Sequence, residues 1–252
     1  MAKGTVKSEM DTLKQESLLL RRQNKELNRF ISSVSHDLKA PLRSIIGITD
    51  IARSESDDPV QGKYLGMIMK SAVKLENFIS DLTDMTRNTQ MELSCEQIDF
   101  SSLVQDVTES LTYMDGFSSI KIETDINAHN FHSDPTRVRI IFNNIISNAI
   151  KYQKKNAPGG SFLIIRIKMI KGKAILEFMD NGQGIAFSHQ ENIFTMFYRA
   201  SESSFGSGLG LYLAREVIKK LGGKISFESE AGRGTVFYVN LPDLQMKPKT
   251  KR

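Results

Sequence analysis

Over the first fifty residues, apolar side chains recur at alternating steps of three and four. Val6, Leu13, Leu20, Leu27 and Val34 fall seven apart, and Met10, Ser17, Asn24, Ile31 and Leu38 fill the complementary series. That alternation is a heptad, with Leu mostly at d and a polar Asn24 at one a position. It runs on through Pro41, Ile45, Ile48 and Ala52. Leu at d favours a parallel pair of helices, and a buried Asn fixes their register at some cost in stability. A single long surface helix is the plain alternative, but five heptads favour a dimer.

Ser54 to Pro59 breaks this helix. A second stripe follows, through Leu65, Ile68, Ala72, Leu75, Ile79 and Leu82, and its spacing predicts a helix running antiparallel to the first. One such hairpin buries its stripes poorly; two bury them well, as a four-helix bundle. Past Met91 the pattern changes. Short strands are expected at Gln97–Phe100 and Ile120–Ile126, with a helix over Ser101–Tyr113 for which Ser101 is a possible cap. Asp134-Pro135 opens a strongly apolar helix running to about Tyr152. Phe162–Ile170 and Lys173–Met179 read as strands paired about Lys171-Gly172. A helix from about Leu209 to Leu221 precedes a last strand pair, Lys224–Glu228 and Thr235–Asn240. A purely helical start followed by mixed elements implies two domains.

Composition alters this little. Apolar residues at 40% and charged residues at 25% are ordinary for a globular protein, and no run of 18 apolar residues offers a membrane span. The lone Cys95 excludes an internal disulfide and fits a reducing, cytoplasmic compartment. The net charge of +5 is concentrated only in the final run Lys247 to Arg252, and elsewhere opposite charges intermingle, so no nucleic-acid partner is expected. His129-x-x-His132 has no third metal ligand nearby and reads as a surface loop.

Candidate chemistry begins at His36. It occupies an f position, pointing away from the heptad seam, with Asp37 adjacent and Pro41 deleting the hydrogen bond to the Asp37 carbonyl. An exposed histidine is usually a surface residue, but an imidazole with a carboxylate neighbour beside a helix kink is a candidate nucleophile. The segment Ser35-His36-Asp37-Leu38-Lys39-Ala40-Pro41-Leu42 resembles the phosphoacceptor box of sensor histidine kinases. The resemblance implies that His36 receives a phosphoryl group and that Asp37 assists as acid and base. Many members carry Thr or Asn where this chain has Ala40, to position water for dephosphorylating the partner. Phosphatase activity is therefore not carried over by the resemblance.

Three further motifs follow in order. Asn144, Asn148 and Lys151 share one face of the helix that opens at Pro135, where a carboxamide oxygen suits Mg²⁺ and a lysine one turn on suits phosphate. Asp180-Asn-Gly182-Gln-Gly184 ends an apolar strand, where a carboxylate can accept from an adenine amino group. Gly206-Ser-Gly208-Leu-Gly210-Leu211 opens a helix, whose first N–H groups cradle anions. Each alone is weak; a polar helix face, a turn and a flexible loop would explain them singly. The glycine string does not follow a strand in a βαβ unit and no GxxxxGK[ST] is present, so neither a dinucleotide fold nor a P-loop is supported.

Together, with Phe194–Arg199 between the second and third, these segments resemble the N, G1, F and G2 boxes of the same family. The fold implied is a dimeric all-α four-helix bundle with an N-terminal coiled coil, followed by an α+β sandwich of the Bergerat ATP-binding type. ATP and Mg²⁺ are the implied cofactors. The resemblance implies Asn148 as metal ligand, Asp180 as adenine reader, Tyr152 lining the site, and Gly206, Gly208 and Gly210 flanking the phosphates. The lid between Arg199 and Gly206 has six residues and no Lys or Arg, leaving Arg199 or Lys151 to supply positive charge. Related ATPases that hydrolyse with water resemble one another in a Glu four residues before the metal-binding Asn; Asn144 stands there instead. Without that base the acceptor is a side chain, and His36 supplies one.

The domains expected are a coiled coil over 1–29, a dimerisation and phosphotransfer hairpin over 30–92, a catalytic domain over 93–244 and a basic tail over 245–252. The partners expected are a second copy of the chain and a response-regulator receiver domain, whose aspartate takes the phosphoryl group. The alternative from another class is a degenerate kinase serving only as a dimeric scaffold.

Overall fold

The computed structural model describes residues 31, 34–35, 38–39, 41–55, 58–154, 157–200 and 207–245. The chain divides between Met91 and Glu92 into two compact units. The expectations for the heptads before residue 31, for His36, Asp37 and Ala40, for lid residues 201–206 and for the basic run fall outside the described residues.

The first unit is a helical hairpin. Helix α1 is continuous over residues 41–55, and α2 is Pro59–Gln90. Asp58 caps α2 by accepting from the Val60 amide at 2.8 Å, with Pro59 at a position needing no N–H. Arg43 meets Glu76 at 3.5 Å, and Lys39 lies near enough to Asp84 to affect its charge, so the helices run antiparallel. Ser35, Leu42 and Thr49, each seven apart, are buried on one helix, as are Ala72, Ile79 and Thr86 on the other. Leu42, Ala72 and Ile79 pack together, with Ile46 against them.

This divides the expected stripes. Ala72 and Ile79 face into the hairpin, whereas Ile68 and Leu75 stay exposed. On α1 two members of the predicted row are left open: Ile45 is 47% and Ile48 68% exposed in the single chain. The residues one position along from the seam close the hairpin instead. A helix with 3.5 residues per turn has room for two such faces side by side.

The second unit is an α+β sandwich. Five strands form its sheet in the order β2 (Ile120–Asn127), β4 (Ser161–Ile170), β5 (Lys173–Asp180), β7 (Gly234–Pro242), β6 (Lys224–Glu230). β2 and β4 are parallel and every other pairing is antiparallel. Lys171 and Gly172 both have positive φ, the requirement of the two-residue turn that joins β4 to β5. Alternate residues of the central strands are buried, among them Leu163, Ile165, Leu176, Phe178 and Val239. Helix α4 (Pro135–Lys151) covers that face, with Phe142 edge-on to Phe178 at 5.1 Å between centroids. Helix α3 (Phe100–Ser110) joins through Phe100, and α6 (Gly210–Lys220) buries Leu213, Ala214, Val217 and Ile218. The four-residue helix α5 (Phe187–Gln190) lies in the long connection from β5 to α6.

Two local expectations need correction. Helix α3 starts at Phe100, capped not by Ser101 but by Asp99, whose carboxylate accepts from the amides of Ser101 and Ser102. A carboxylate at the N-cap also meets the positive end of the helix, which a hydroxyl does not. His132 is not in a loop: Phe131–Ser133 forms β3, antiparallel to β1 (Glu96–Ile98). Three residues are too few to show alternation, and the partner strand lies more than thirty residues away.

Candidate active site

Helix α4 supplies one wall of the site. Asp134 accepts from the Arg137 amide at 3.0 Å and pairs with the Arg137 side chain, and both are buried. This fixes the start of the helix, and its 17 residues then carry Asn144, Asn148 and Lys151 along one half-buried face. The Asn144 carboxamide donates back to the Ile140 carbonyl at 2.8 Å. Its oxygen occupies the space a Cβ at Gly210 would need, so the first residue of α6 can be only glycine without displacing Asn144. Asn148 differs: its carboxamide makes no hydrogen bond with the described residues.

Strand β5 supplies the second wall and ends on Asp180, which is half-buried. Its carboxylate accepts from the backbone N–H groups of Gly182, at 2.8 Å, and Thr235. Burial pushes the carboxyl above the usual carboxylate range, against those two donors and the positive charge of Lys154. The loop then turns back on α4, where Gln183 donates to the Tyr152 carbonyl at 2.9 Å. Gly184 has φ +65°, and a Cβ there would run into the Glu230 carbonyl. Only glycine allows the loop to lie this close to the β6–β7 hairpin.

The third wall comes from the chain leading into α6. Phe197 takes φ +64° and donates to the Gly208 carbonyl at 3.0 Å, while the Tyr198 hydroxyl meets His189 Nδ1 at 2.7 Å. Arg199 follows, half-buried; burial away from water holds the Tyr152 phenol above its ordinary value, and the nearby positive charge of Arg199 works against that. Leu209 precedes α6 with no side-chain cap, so the first N–H groups of that helix, at Gly210 and Leu211, are not occupied by a capping side chain.

The fold thus gathers Asn144, Lys151, Tyr152, Asp180, Gly182, Gly184, Arg199, Gly208 and Gly210 around the C-terminal ends of β5 and α4. His36, Asp37 and Gly206 lie outside the described residues. Sequence reasoning missed Gln183, Thr235 and Ser229. Their contacts join segments some fifty residues apart, and only Gln183, inside the Asp180–Gly184 motif, offered a signal.

Two family models match the chain. "His Kinase A (phospho-acceptor) domain" covers residues 26–90, and "Histidine kinase-, DNA gyrase B-, and HSP90-like ATPase" covers residues 133–245. Among curated proteins, the aerobic respiration control sensor protein ArcB of Escherichia coli is 31% identical over 234 residues, 88% of this chain and 29% of ArcB. Cyanobacterial phytochrome B of Nostoc is 30% identical over 251 residues, 96% of this chain and 33% of that protein. The chain therefore spans about a third of the length of these relatives. A crystal structure of full-length ShkA in complex with AMPPNP has the same fold, with a TM-score of 0.67 at 22% identity, over 85% of this chain and 45% of that one.

Proposed function

Since the chain belongs to the sensor histidine kinases and carries their transmitter region, we propose that it binds Mg²⁺-ATP, phosphorylates its own His36 and hands the phosphoryl group to a receiver-domain aspartate. The observation that carries this reading is Asp180, a half-buried carboxylate held by two backbone amides at the end of β5. A fixed acceptor there suits the exocyclic amino group of adenine and repels the carbonyl of guanine. That ShkA was crystallised with AMPPNP on the same fold supports the nucleotide reading.

The open N-terminus of α6, with Gly208 and Gly210, receives phosphate oxygens, and Lys151 and Arg199 supply the positive charge that the lid lacks. The carboxamide of Asn148, which makes no hydrogen bond with the described residues, would hold a Mg²⁺ ion, whose chemistry is to neutralise charge on the phosphates. Asn144 spends its carboxamide on α4 and the approach of α6, and offers no base for water. This favours transfer to a side chain. A His36 ring nitrogen forms a bond to the γ-phosphorus as the bond to the bridging oxygen breaks, releasing ADP. Asp37 orients the imidazole. The apolar residues left exposed on α1 and α2 are the seam with a second copy, which completes a four-helix bundle. No helix among the described residues is long and apolar enough to cross a membrane, and a cytoplasmic location is proposed for this part of the protein. With Ala40 after the acceptor, phosphatase activity towards the partner is proposed to be weak.

Incubation with ATP labelled at the γ-phosphate tests the site. The chain is expected to take up label, and an Asp180→Asn variant to take up less than a tenth as much at the same ATP concentration, the loss of a charge-assisted hydrogen bond being worth about tenfold or more. Equal labelling of the two would contradict the assignment.

A further inference from the structure

The loop that carries Asp180 is held in place by a hydroxyl on a strand far along the chain. Ser229, on β6, has its Oγ 2.8 Å from the Ile185 amide nitrogen, 2.9 Å from the Gly234 carbonyl and 2.9 Å from the Thr235 hydroxyl. A hydroxyl has one proton to give and two lone pairs to receive. The Ile185 N–H can only donate and the Gly234 carbonyl can only accept. Ser229 therefore gives its proton to Gly234 and accepts from both Ile185 and Thr235. Every valence of the hydroxyl is used and every bond direction is fixed.

Both neighbours lead to Asp180. Thr235 is buried and offers its backbone N–H to the Asp180 carboxylate, and Ile185 closes the loop that begins at Asp180. Gln190 grips the same point from α5: its side-chain amide donates to the carbonyls of Ile185 and Ser229, each at 3.0 Å. Gly232 adds a backbone bond to the Gln183 carbonyl at 2.7 Å. The loop is thus fastened to the β6–β7 hairpin at Gln183 and at the Ile185 N–H, while Gln190 of α5 holds the Ile185 carbonyl.

We propose that Ser229 is a positioning residue for the nucleotide site: through Ile185 and Thr235 it sets where the Asp180 carboxylate meets the base, and thereby the preference for adenine over guanine. The inference rests on the reading of Asp180 as the group that meets the base. Alanine at position 229 leaves the Ile185 N–H and the Gly234 carbonyl without their partner and frees the carboxylate to shift. A displacement of about 1 Å at such a site costs up to a hundredfold.

The test is calorimetric titration of ATP and of GTP into the full chain, as wild type and as the variants Ser229→Ala, Ser229→Thr, Gln190→Ala and Asp180→Asn. The wild type should prefer ATP, and Asp180→Asn should lose most of that preference. Ser229→Ala is expected to weaken ATP binding about tenfold and to shrink the ATP-to-GTP ratio by a similar factor. Ser229→Thr, which keeps the hydroxyl, should restore the ratio, and Gln190→Ala should shift it in the same direction as Ser229→Ala. A purely structural role would weaken both nucleotides alike and leave the ratio unchanged, which would overturn the proposal. If Ser229→Ala fails to fold, an unchanged ratio in Gln190→Ala overturns it equally. A wild type without ATP preference, or one unaffected by Asp180→Asn, would instead overturn the underlying reading of Asp180.

Discussion

Asp180 shows how a single side chain can weaken the fold that holds it. Its carboxyl is raised above the ordinary value by burial, so between that value and the raised one the folded chain keeps a proton that the unfolded chain has released. Its contribution to stability is therefore fully present at acid pH and is lost as pH rises through the raised pKa. Above the raised pKa the ionised group is a cost that, on the proposed reading, an incoming amino group offsets. Asparagine at this position keeps an oxygen for the Gly182 amide and carries no charge. Asp180→Asn is thus expected to melt at the same temperature as wild type, or a few degrees higher, at pH 7 without nucleotide. The difference should shrink as pH falls below the raised pKa and vanish below the ordinary carboxyl value. Scanning calorimetry across pH measures it, and a lower melting temperature at pH 7 would contradict this account. Residue types at such points were legible in the sequence; their partners were not. Asp134 announced itself as a cap because the amide it caps is only three residues on. Ser229 reads as an ordinary polar position on a strand, because its partners are Ile185, Gly234 and Thr235 and only the fold brings the first of them near.

Among elements, the hairpin of α1 and α2 carries more apolar surface than it buries. Leu42, Ala72 and Ile79 close it, while Ile45, Ile48, Ile68 and Leu75 remain outside. Each of the exposed four is already about a third to a half covered, so covering the rest returns roughly 1 kcal/mol apiece, and each copy contributes its own set to a shared seam. Ile45→Glu combined with Ile48→Glu leaves the inner contacts intact and sets carboxylates on the seam. Sedimentation equilibrium should find wild type dimeric and the double variant monomeric, with helical content retained by circular dichroism. A dimeric double variant would place the seam elsewhere. The heptad spacing identified this row from sequence, yet a single chain has two heptad faces, and spacing alone did not say which would close the hairpin. The residues at 35, 42 and 49 do so, and two of those three are the polar Ser35 and Thr49, which a search for apolar periodicity passes over.

At the scale of the whole molecule, the proposed reaction divides its parts between the two units. The second unit holds the motifs proposed to bind nucleotide, and the order of its segments along the chain was readable because each sits at the terminus of an element: α4 ends at Lys151, β5 ends at Asp180 and α6 begins at Gly210. The mixed sheet that aligns those ends was not readable, since the parallel pairing of β2 with β4 and the insertion of β5 between β4 and β7 depend on contacts across the fold. On the proposed reading the sequence segment around His36 is the acceptor, and that reading stands on transfer from the nucleotide to this segment. Its most direct test is incubation of the purified chain with Mg²⁺ and ATP labelled at the γ-phosphate, beside a His36→Ala variant. The account predicts label on the wild type that is labile in acid and stable in base, and none on the variant. Label that persists in the variant, or that survives acid, would contradict it.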